Sequence, residues 1–253
     1  MKKRVAVFAN GWSDEYLSNA LEGITACAKQ NNIDLYLFIE YAAVTDDVDS
    51  AQGDINIINL PDLTQYDGII LMGNTLNNRG ELGMLYEKIS KINRPTVCLE
   101  YELDGVDCIC TDNYTGMKEL CEHLINFHNA KNIAFISGDE ANLENKERKR
   151  ALEDTLRENG LSLNPDSVIM GGWSYYNVRQ VVPEWLKTHA LPDAFVCAND
   201  VMAMGLVFAL NRLKYSVPDD VLVTGFDNII SAQTYSPIIT SVDRGWEVRS
   251  RNA

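Results

Sequence analysis

The sequence predicts an α/β protein with two lobes, each built on a doubly wound parallel sheet. Short apolar runs alternate with amphipathic segments of helical period from one end of the 253-residue chain to the other. The turns between these segments are short, and parallel strands need crossover connections, which helices supply. The chain is also long enough for two lobes of roughly 110–130 residues, each with its own core.

Strands are predicted where a short apolar run is followed by polar or turn residues. In chain order these segments are residues 4–9, 34–40, 55–60, 68–73, 95–99, 106–111, 132–137, 167–170, 194–198, 221–224 and 238–242. No sequence repeat, low-complexity tract or proline-rich linker interrupts this alternation.

Amphipathic helices are predicted between the strands. Their apolar stripes are Leu17, Leu21 and Ile24 in one helix, Met117, Leu120, Leu124 and Phe127 in a second, and Met202, Leu206, Ala209, Leu210 and Leu213 in a third. Ser13 is a candidate cap of the first helix, and Asn199 or Asp200 of the third. A charge-rich helix covers residues 144–159 and ends at Gly160.

The lobe boundary is predicted near residues 110–113, where a strand ends in Thr-Asp-Asn and a helix begins at Tyr114. The first lobe is therefore expected to contain residues 1–111 and the second residues 112–242. A second crossing is expected after Val242, because residues 243–253 begin a helical pattern that then stops.

Composition excludes several classes of protein. The net charge of −14 makes the chain a polyanion, so we do not expect it to bind nucleic acid directly. No apolar stretch approaches the ~20 residues of a membrane span. Met-Lys-Lys-Arg precedes a short apolar run that fits a first strand better than a signal peptide, which predicts a cytoplasmic protein. The six cysteines lie mostly in apolar runs, as core residues of a reducing compartment do.

Catalytic and metal-binding patterns are missing from the sequence. It has no glycine-rich phosphate loop ending in Gly-Lys, no Gly-x-Ser-x-Gly elbow and no His-Glu-x-x-His. His123 and His128 are five residues apart and should not share a helical face, and His189 stands alone. We therefore expect no metal, no cofactor and no histidine-based catalysis.

The segment from Phe195 to Asn228 predicts a binding site. One apolar run ends in Asn199-Asp200, and the next ends in Gly-Phe-Asp227-Asn. Two neighbouring strands thus deliver an amide and a carboxylate to the carboxyl edge of one sheet, where open α/β folds bind ligands. A small polar molecule is the expected ligand.

Four motifs carry a resemblance to a known family: Asn199-Asp-x-Met-Ala-x-Gly205, Val217-Pro-Asp-Asp-Val221, Gly225-Phe-Asp-Asn228 and Pro237-Ile-Ile-Thr-Ser-Val242. Together they resemble the effector-binding core of lac/gal repressor-type (LacI/GalR) regulators over residues 5–248. The resemblance implies the two-lobed, periplasmic-binding-protein-like type I fold and a side-by-side homodimer. It also implies that residues 243–253 start a helix that returns to the first lobe and is cut short. No helix-turn-helix precedes Val5.

Sugar-like ligands need planar polar groups that grip adjacent hydroxyls and aromatic faces that cover the ring. The candidate ligand-binding residues are Asn10, Trp12, Tyr16, Asn74 and Glu100 in the first lobe and Arg148, Trp173, Asn199 and Asp227 in the second. The resemblance supports Arg148 as an effector-binding arginine, although Ala151-Leu152 replaces the family's Gly-Phe. It supports Trp173 as the aromatic on the ligand and Asn199 with Asp227 as the polar pair. Glu100 stands where the family has a shorter acid, which argues against a hexose.

Simpler interpretations stay open for these residues. Arg148 lies in a charge run that could be a solvated face, and Asn199 could serve only as a helix cap. Asp227 could cap a turn, and both tryptophans could be core aromatics. The acidic residues 46–49 fit a solvated loop.

Three functions are compatible with the sequence. The first is a cytoplasmic sensing domain that closes over a sugar, polyol or nucleoside by hinge bending. It would signal to a C-terminal effector domain, for which the resemblance suggests a diguanylate cyclase. The alternative is the effector-binding domain of a LacI/GalR-type transcriptional regulator that has lost its DNA-binding domain. A sugar-processing enzyme is the third, and the missing acid–base pair argues against it.

Overall fold

The computed structural model describes residues 2–11, 15–40, 56–76 and 80–245. It divides into two compact units. Unit 1 contains the described residues up to Thr111 together with Gly245, and unit 2 is Asp112–Arg244. Among the described residues, no helix is long and apolar enough to cross a membrane.

Unit 1 is an α/β layer structure on a five-stranded parallel sheet. Its elements are β1 (Lys3–Asn10), α1 (Glu15–Gln30), β2 (Ile33–Glu40), a 3-10 turn (Leu63–Gln65), β3 (Gly68–Met72), α2 (Gly73–Leu76), α3 (Glu81–Ile89), β4 (Thr96–Leu99) and β5 (Asp107–Ile109). The strand order is β2-β1-β3-β4-β5. Successive residues of β1 point to opposite faces, and each face is buried: Phe8 belongs to one apolar cluster and Val7 to the other.

Unit 2 repeats this architecture. Its elements are α4 (Asn113–Asn126), β6 (Ile133–Ser137), α5 (Leu143–Glu158), a 3-10 turn (Pro165–Ser167), β7 (Val168–Met170), α6 (Tyr175–Trp185), β8 (Ala194–Cys197), α7 (Asp200–Arg212), β9 (Leu222–Asp227), α8 (Ile230–Gln233) and β10 (Thr240–Asp243). The order β10-β9-β8-β6-β7 is again all parallel. The predicted fold class, two doubly wound parallel sheets, is confirmed.

Sequence predictions about regular structure are wrong at residues 56–60, at Phe127 and at Leu213. Residues 56–60 form no strand: 56 and 57 are helical, and Asn59 and Leu60 donate their backbone N–H groups to Asn56 and Ile57. The segment therefore satisfies its backbone locally and leaves nothing for a sheet partner. Phe127 does not join the apolar stripe of α4, since its side chain is 77% exposed just past the helix end. Leu213 lies just past the end of α7 and its side chain is 39% exposed, so it is not part of the buried stripe of that helix.

The helix predicted to begin at residue 243 is not found there, and several other predictions fall outside the described residues. Asp243 is the last residue of β10, so no helix begins there, and Gly245 has a positive φ of 65°. Residues 246–253 lie outside the described residues, as do Trp12, Ser13 and the acidic residues 46–49.

The cysteines are less uniformly buried than the sequence suggests. Cys98, Cys121 and Cys197 are buried, Cys27 and Cys108 are half-buried, and Cys110 is exposed.

Candidate functional site

Four buried charged side chains at the carboxyl edge of the unit 2 sheet are joined to one another by ion pairs. They form a group that we call the ion cluster, consisting of Glu144, Arg148, Asp227 and Arg244. Glu144 and Arg148 lie one turn apart on α5, Asp227 ends β9, and Arg244 follows β10. Because two cations face two carboxylates, the cluster is balanced in formal charge, as buried charges must be to remain ionised.

Arg148 is the centre of this cluster. Its side chain is only 1% exposed, so the solvated-face interpretation is wrong. Its Nε donates to Asn113 Oδ1 at 2.8 Å and its Nη1 to the Ala198 carbonyl at 2.5 Å. The Nη2 atom lies 3.5 Å from Glu144 Oε1 and 3.7 Å from Asp227 Oδ1, while the guanidinium stacks 3.8 Å above the Phe226 ring. These contacts fix the guanidinium in one orientation.

Arg244 was missed by the sequence reasoning. It is 3% exposed, its Nε lies 2.8 Å from Asp227 Oδ1, and its Nη2 pairs with Glu144 Oε1. Glu144 and Asn113 were also missed. The sequence signal for Arg244 is its position two residues after the last apolar run, at the edge where the other strand-end residues converge.

The backbone around Asp227 is held by Asp200. Asp227 has a φ of 110°, in the region that non-glycine residues rarely adopt. The buried Asp200 accepts a hydrogen bond from the Ile229 backbone N–H at 3.0 Å and one from Ser241 Oγ at 2.6 Å. A Cβ on Gly225 would lie 2.0 Å from Asp200 Oδ1, so only glycine fits between them.

Burial raises the pKa of Asp200 to about 7. The hydrogen bond from Ser241 opposes that rise, the Asp227 charge adds to it, and the Ile229 N–H and Arg148 lower the pKa again. Asp200 therefore titrates near neutral pH while it tethers the Asp227 loop.

Trp173 occupies the loop after β7. It and Gly172 both have positive φ values, 62° and 60°. The half-buried indole packs on the unit 2 core, and a Cβ at Gly138 would lie 2.2 Å from its ring. Trp173 is thus partly a core residue and partly exposed. The interpretation as a core aromatic and the interpretation as a ligand-contacting aromatic are both compatible with this position.

Asn199 caps α7. Its Oδ1 accepts a hydrogen bond from the Met202 backbone N–H at 2.9 Å, which settles the choice between Asn199 and Asp200 as the cap. Asn199 remains half-buried, so contact with a ligand stays a prediction for this residue.

The carboxyl edge of the unit 1 sheet presents amides, hydroxyls and a carboxylate. Asn10 donates its backbone N–H to Thr75 Oγ1 at 3.1 Å and its Nδ2 to Glu40 Oε2 at 3.1 Å. Asn74 Nδ2 donates to the Tyr16 hydroxyl at 2.5 Å. Glu40, which the sequence reasoning missed, is buried and lies opposite Asn10 in the β1–β2 register. The signal for it is a carboxylate directly after the apolar run of β2.

Glu100 has a structural partner. Its carboxylate accepts two hydrogen bonds from Thr111, one from the backbone N–H and one from the hydroxyl, each at 2.9 Å. It is buried and has a positive φ of 62°. Glu100 therefore closes the end of the β4–β5 pair, and its predicted contact with a ligand is untested.

The two histidines that were expected to point apart lie together. His123 Nε2 and His128 Nε2 are 3.2 Å apart. His128 lies past the end of α4, so the helical spacing that would separate the two rings does not apply to it. In the described part of the chain, no group of three or more His, Cys, Asp or Glu side chains is arranged to hold a metal ion.

Comparisons with known proteins give one consistent result. The family model described as "Periplasmic binding protein-like domain" matches residues 121–253, slightly more than half of the chain. The HTH-type transcriptional repressor PurR of Histophilus somni is 31% identical over 139 residues, which is 55% of this chain and 41% of PurR. The chain spans about half the length of the curated relatives it matches first.

Solved structures show the same fold. The transcriptional regulator CelR–cellobiose complex aligns with a TM-score of 0.81 at 20% identity, over 99% of this chain and 76% of CelR. The lac repressor dimer bound to operator and the anti-inducer ONPF aligns with a TM-score of 0.80 at 18% identity, over 100% of this chain and 84% of that one.

Proposed function

We propose, from the premise that the chain belongs to the periplasmic binding protein-like domain family, that it is the effector-binding part of a LacI/GalR-type transcriptional regulator. Relatives such as PurR are named as transcriptional repressors. They support the regulator over the sensor linked to a diguanylate cyclase, and they are not enzymes. A regulator of this kind acts where the DNA is, which is consistent with the cytoplasmic location expected from the sequence.

The observation that carries the proposal is the ion cluster at the carboxyl edge of the unit 2 sheet. Asp227 offers carboxylate oxygens to ligand hydroxyls, while the guanidinium of Arg148 is already fixed by Asn113 and Ala198. Such pre-fixed groups lose little conformational entropy on binding, which favours affinity. Because the cluster already balances its own charges, an uncharged polyhydroxyl ligand fits it best.

Trp173 supplies the aromatic part of the proposed site. It stands on a loop at the same edge, half-buried, with its conformation set by the Gly172 turn and by contact with Gly138. An indole can cover the apolar face of a sugar or stack on a nucleobase. The proposed ligand is therefore a sugar, polyol or nucleoside.

The test has two steps. Thermal shift against sugars, polyols and nucleosides identifies the ligand, because a ligand at a hundred times its Kd stabilises the fold by roughly 2.7 kcal/mol. Calorimetry then compares Asp227→Ala and Trp173→Ala with the wild type. We expect each to weaken binding by about 1.5–3 kcal/mol, through lost charge-assisted hydrogen bonds in one case and lost ring contact in the other.

The matched control is Asp219→Ala, which removes an exposed carboxylate from the turn before β9. It should leave affinity unchanged. If Asp227→Ala and Trp173→Ala also bind normally while folded, the site lies elsewhere.

The second part of the proposal is a homodimer. The outer face of α6 and α7 carries a groove of about 390 Å³ that is lined by aromatic and arginine side chains. Tyr176 is 71% exposed there, and Arg179 stacks 3.8 Å above the Phe208 ring. Exposed aromatic surface with arginine is typical of interfaces, and the structurally similar lac repressor is described as a dimer.

Light scattering tests the dimer. Tyr176→Glu should shift the protein toward a monomer, because it introduces a charge into the proposed interface. Phe127→Glu is the matched control, since Phe127 is an equally exposed aromatic on another surface of unit 2. A wild-type monomer at high concentration, or equal effects of both variants, would contradict the proposed interface.

A further inference from the structure

Two cysteines at the end of the unit 1 sheet lie in direct sulfur contact. Cys108 is the middle residue of β5, and Cys110 is the first residue after it. Their Sγ atoms are 2.7 Å apart, and the Cys108 thiol lies 3.3 Å from the Tyr101 carbonyl oxygen, to which it donates. Since Cys108 uses its proton for that carbonyl, Cys110 is the donor to the Cys108 sulfur. Cys110 is exposed and can be reached by a small oxidant.

We propose that Cys108 and Cys110 are an oxidative modification site at which the two thiols form a reversible intramolecular disulfide. A disulfide bond is about 2.05 Å long, so the two sulfurs need to approach by only about 0.6 Å. The bond would close the three-residue loop Cys108-Ile109-Cys110 at the end of β5.

The chemistry is a two-electron oxidation of the dithiol, with a peroxide as the oxidant. The Cys110 thiolate attacks hydrogen peroxide, and a sulfenic acid forms on Cys110. The hydroxide that is released takes up the proton that the thiol lost and becomes water. The Cys108 sulfur then attacks the Cys110 sulfur, loses its proton and displaces a second water. Two thiols and one peroxide thus give one disulfide and two waters.

Local electrostatics make this reaction slow at neutral pH. Partial desolvation of the sulfur, the hydrogen bond to Cys108 and the nearby Glu100 and Glu102 carboxylates all raise the pKa of Cys110 above its ordinary value, although the residue as a whole is exposed. The thiolate is therefore a small fraction at neutral pH, and the rate of oxidation should increase as pH rises. A reducing compartment keeps the pair as thiols, while a disulfide across so short a loop is easily reduced again.

The site has a structural neighbour that would report its state. Thr111 follows Cys110, and both its N–H and its hydroxyl are bound by Glu100. A covalent link between Cys108 and Cys110 restricts the backbone just before Thr111. The oxidised protein should therefore protect the Thr111 amide from hydrogen exchange more strongly than the reduced protein does.

The experiment treats the reduced chain with hydrogen peroxide and counts free thiols after denaturation, with peptide mapping under non-reducing conditions. We expect the wild type to lose two of its six thiols, with the loss confined to one peptide that is two hydrogen atoms lighter. Dithiothreitol should restore both, and the reaction should be faster at higher pH. The control Cys27→Ser, at a half-buried cysteine in another element, should still form the link.

Cys110→Ser should abolish the link, and hydrogen exchange at Thr111 should then not respond to peroxide. Six remaining thiols in the wild type would overturn the proposal. A disulfide between Cys110 and any other cysteine, a link between two chains, or oxidation of Cys110 to a sulfinic acid without a link would overturn it equally.

Discussion

The two units place an acid at the same point of the same sheet and use it differently. Each sheet orders its strands as second, first, third, fourth and fifth of its own unit. Glu100 directly follows the fourth strand of unit 1, and Asp227 ends the fourth strand of unit 2. Both have a positive φ, 62° and 110°. Yet Glu100 binds Thr111 of its own unit, whereas Asp227 faces two arginines.

The same correspondence holds at the third strand of each unit. Asn74 follows β3 and Asn199 follows β8, and each starts a helix or lies in its first turn. Asn74 binds the Tyr16 hydroxyl, while Asn199 caps a backbone N–H. The topology therefore fixes where polar residues gather, and their partners decide what they can do. At the carboxyl edge of the unit 1 sheet the acids accept hydrogen bonds from amide and hydroxyl groups. At the same edge of unit 2 the acids face buried guanidinium groups.

The largest expected effect comes from breaking the ion cluster. Arg148→Met keeps much of the side-chain volume but leaves Glu144 and Asp227 buried with one guanidinium between them. Removing one partner of a buried ion network costs about 3–5 kcal/mol of unfolding free energy. Urea denaturation measures the change.

Lys149→Ala is the control for that variant. Lys149 is the next residue of α5, and its exposed pair with Glu153 should contribute no more than about 1 kcal/mol. Equal losses for the two variants would show that the cluster does not stabilise unit 2, and the contrast between the units would disappear.

A pH-dependent effect of intermediate size should arise from Asp200. Burial raises its folded pKa to about 7 from an ordinary value of 3.8, so between these pH values the folded protein holds a proton that the unfolded chain releases. The contribution of this group to stability is full below the unfolded pKa and is lost as pH rises from about 4 to about 7. Asp200→Asn does not titrate, so its stability should depend less steeply on pH across that window.

Urea denaturation at several pH values checks the Asp200 prediction. An asparagine can still accept from the Ile229 N–H and donate to Ser241 Oγ, so the fold should persist. Parallel pH profiles for the variant and the wild type would mean that Asp200 does not hold this proton.

The sequence predicts the fold well because alternation of strands and helices is a local signal. It also predicts that Asn74, Asn199 and Asp227 lie at the carboxyl edges of the sheets, since each stands at or just beyond the end of an apolar run; their contact with a ligand stays a prediction. It does not predict the ion cluster, because Glu144 and Arg244 are 100 residues apart and no local pattern links them. Arg148 is a second example. Its local sequence is a charge run typical of a solvated surface, but contacts with residues distant in sequence bury its side chain.

Errors in the predicted elements have a related cause. Residues 55–60 are apolar enough for a strand, but the backbone of the described residues closes on itself in a turn. Phe127 matches the helical period, but Asn126 is the last residue of α4. At residues 56–60 local backbone hydrogen bonds override the hydrophobic pattern, and at Phe127 the end of the helix does.

The smallest expected effect tests the other side of the comparison. Glu100→Ala removes two hydrogen bonds to Thr111, which is half-buried and can recover some solvent contact, so we expect a loss of about 1–2 kcal/mol in unfolding free energy. Glu100→Gln keeps one oxygen for the Thr111 N–H and places an amide against the hydroxyl, so it should lose less. Glu102→Ala, at an exposed neighbour, should change stability by no more than about 0.5 kcal/mol.

Once a ligand is known, calorimetry completes the test. If Glu100 mainly holds the ends of β4 and β5 together through Thr111, Glu100→Gln should bind the ligand with almost the affinity of the wild type, while Asp227→Ala should bind it more weakly. A loss of affinity in Glu100→Gln as large as that in Asp227→Ala would show that both acids contact the ligand and that the two units contribute alike.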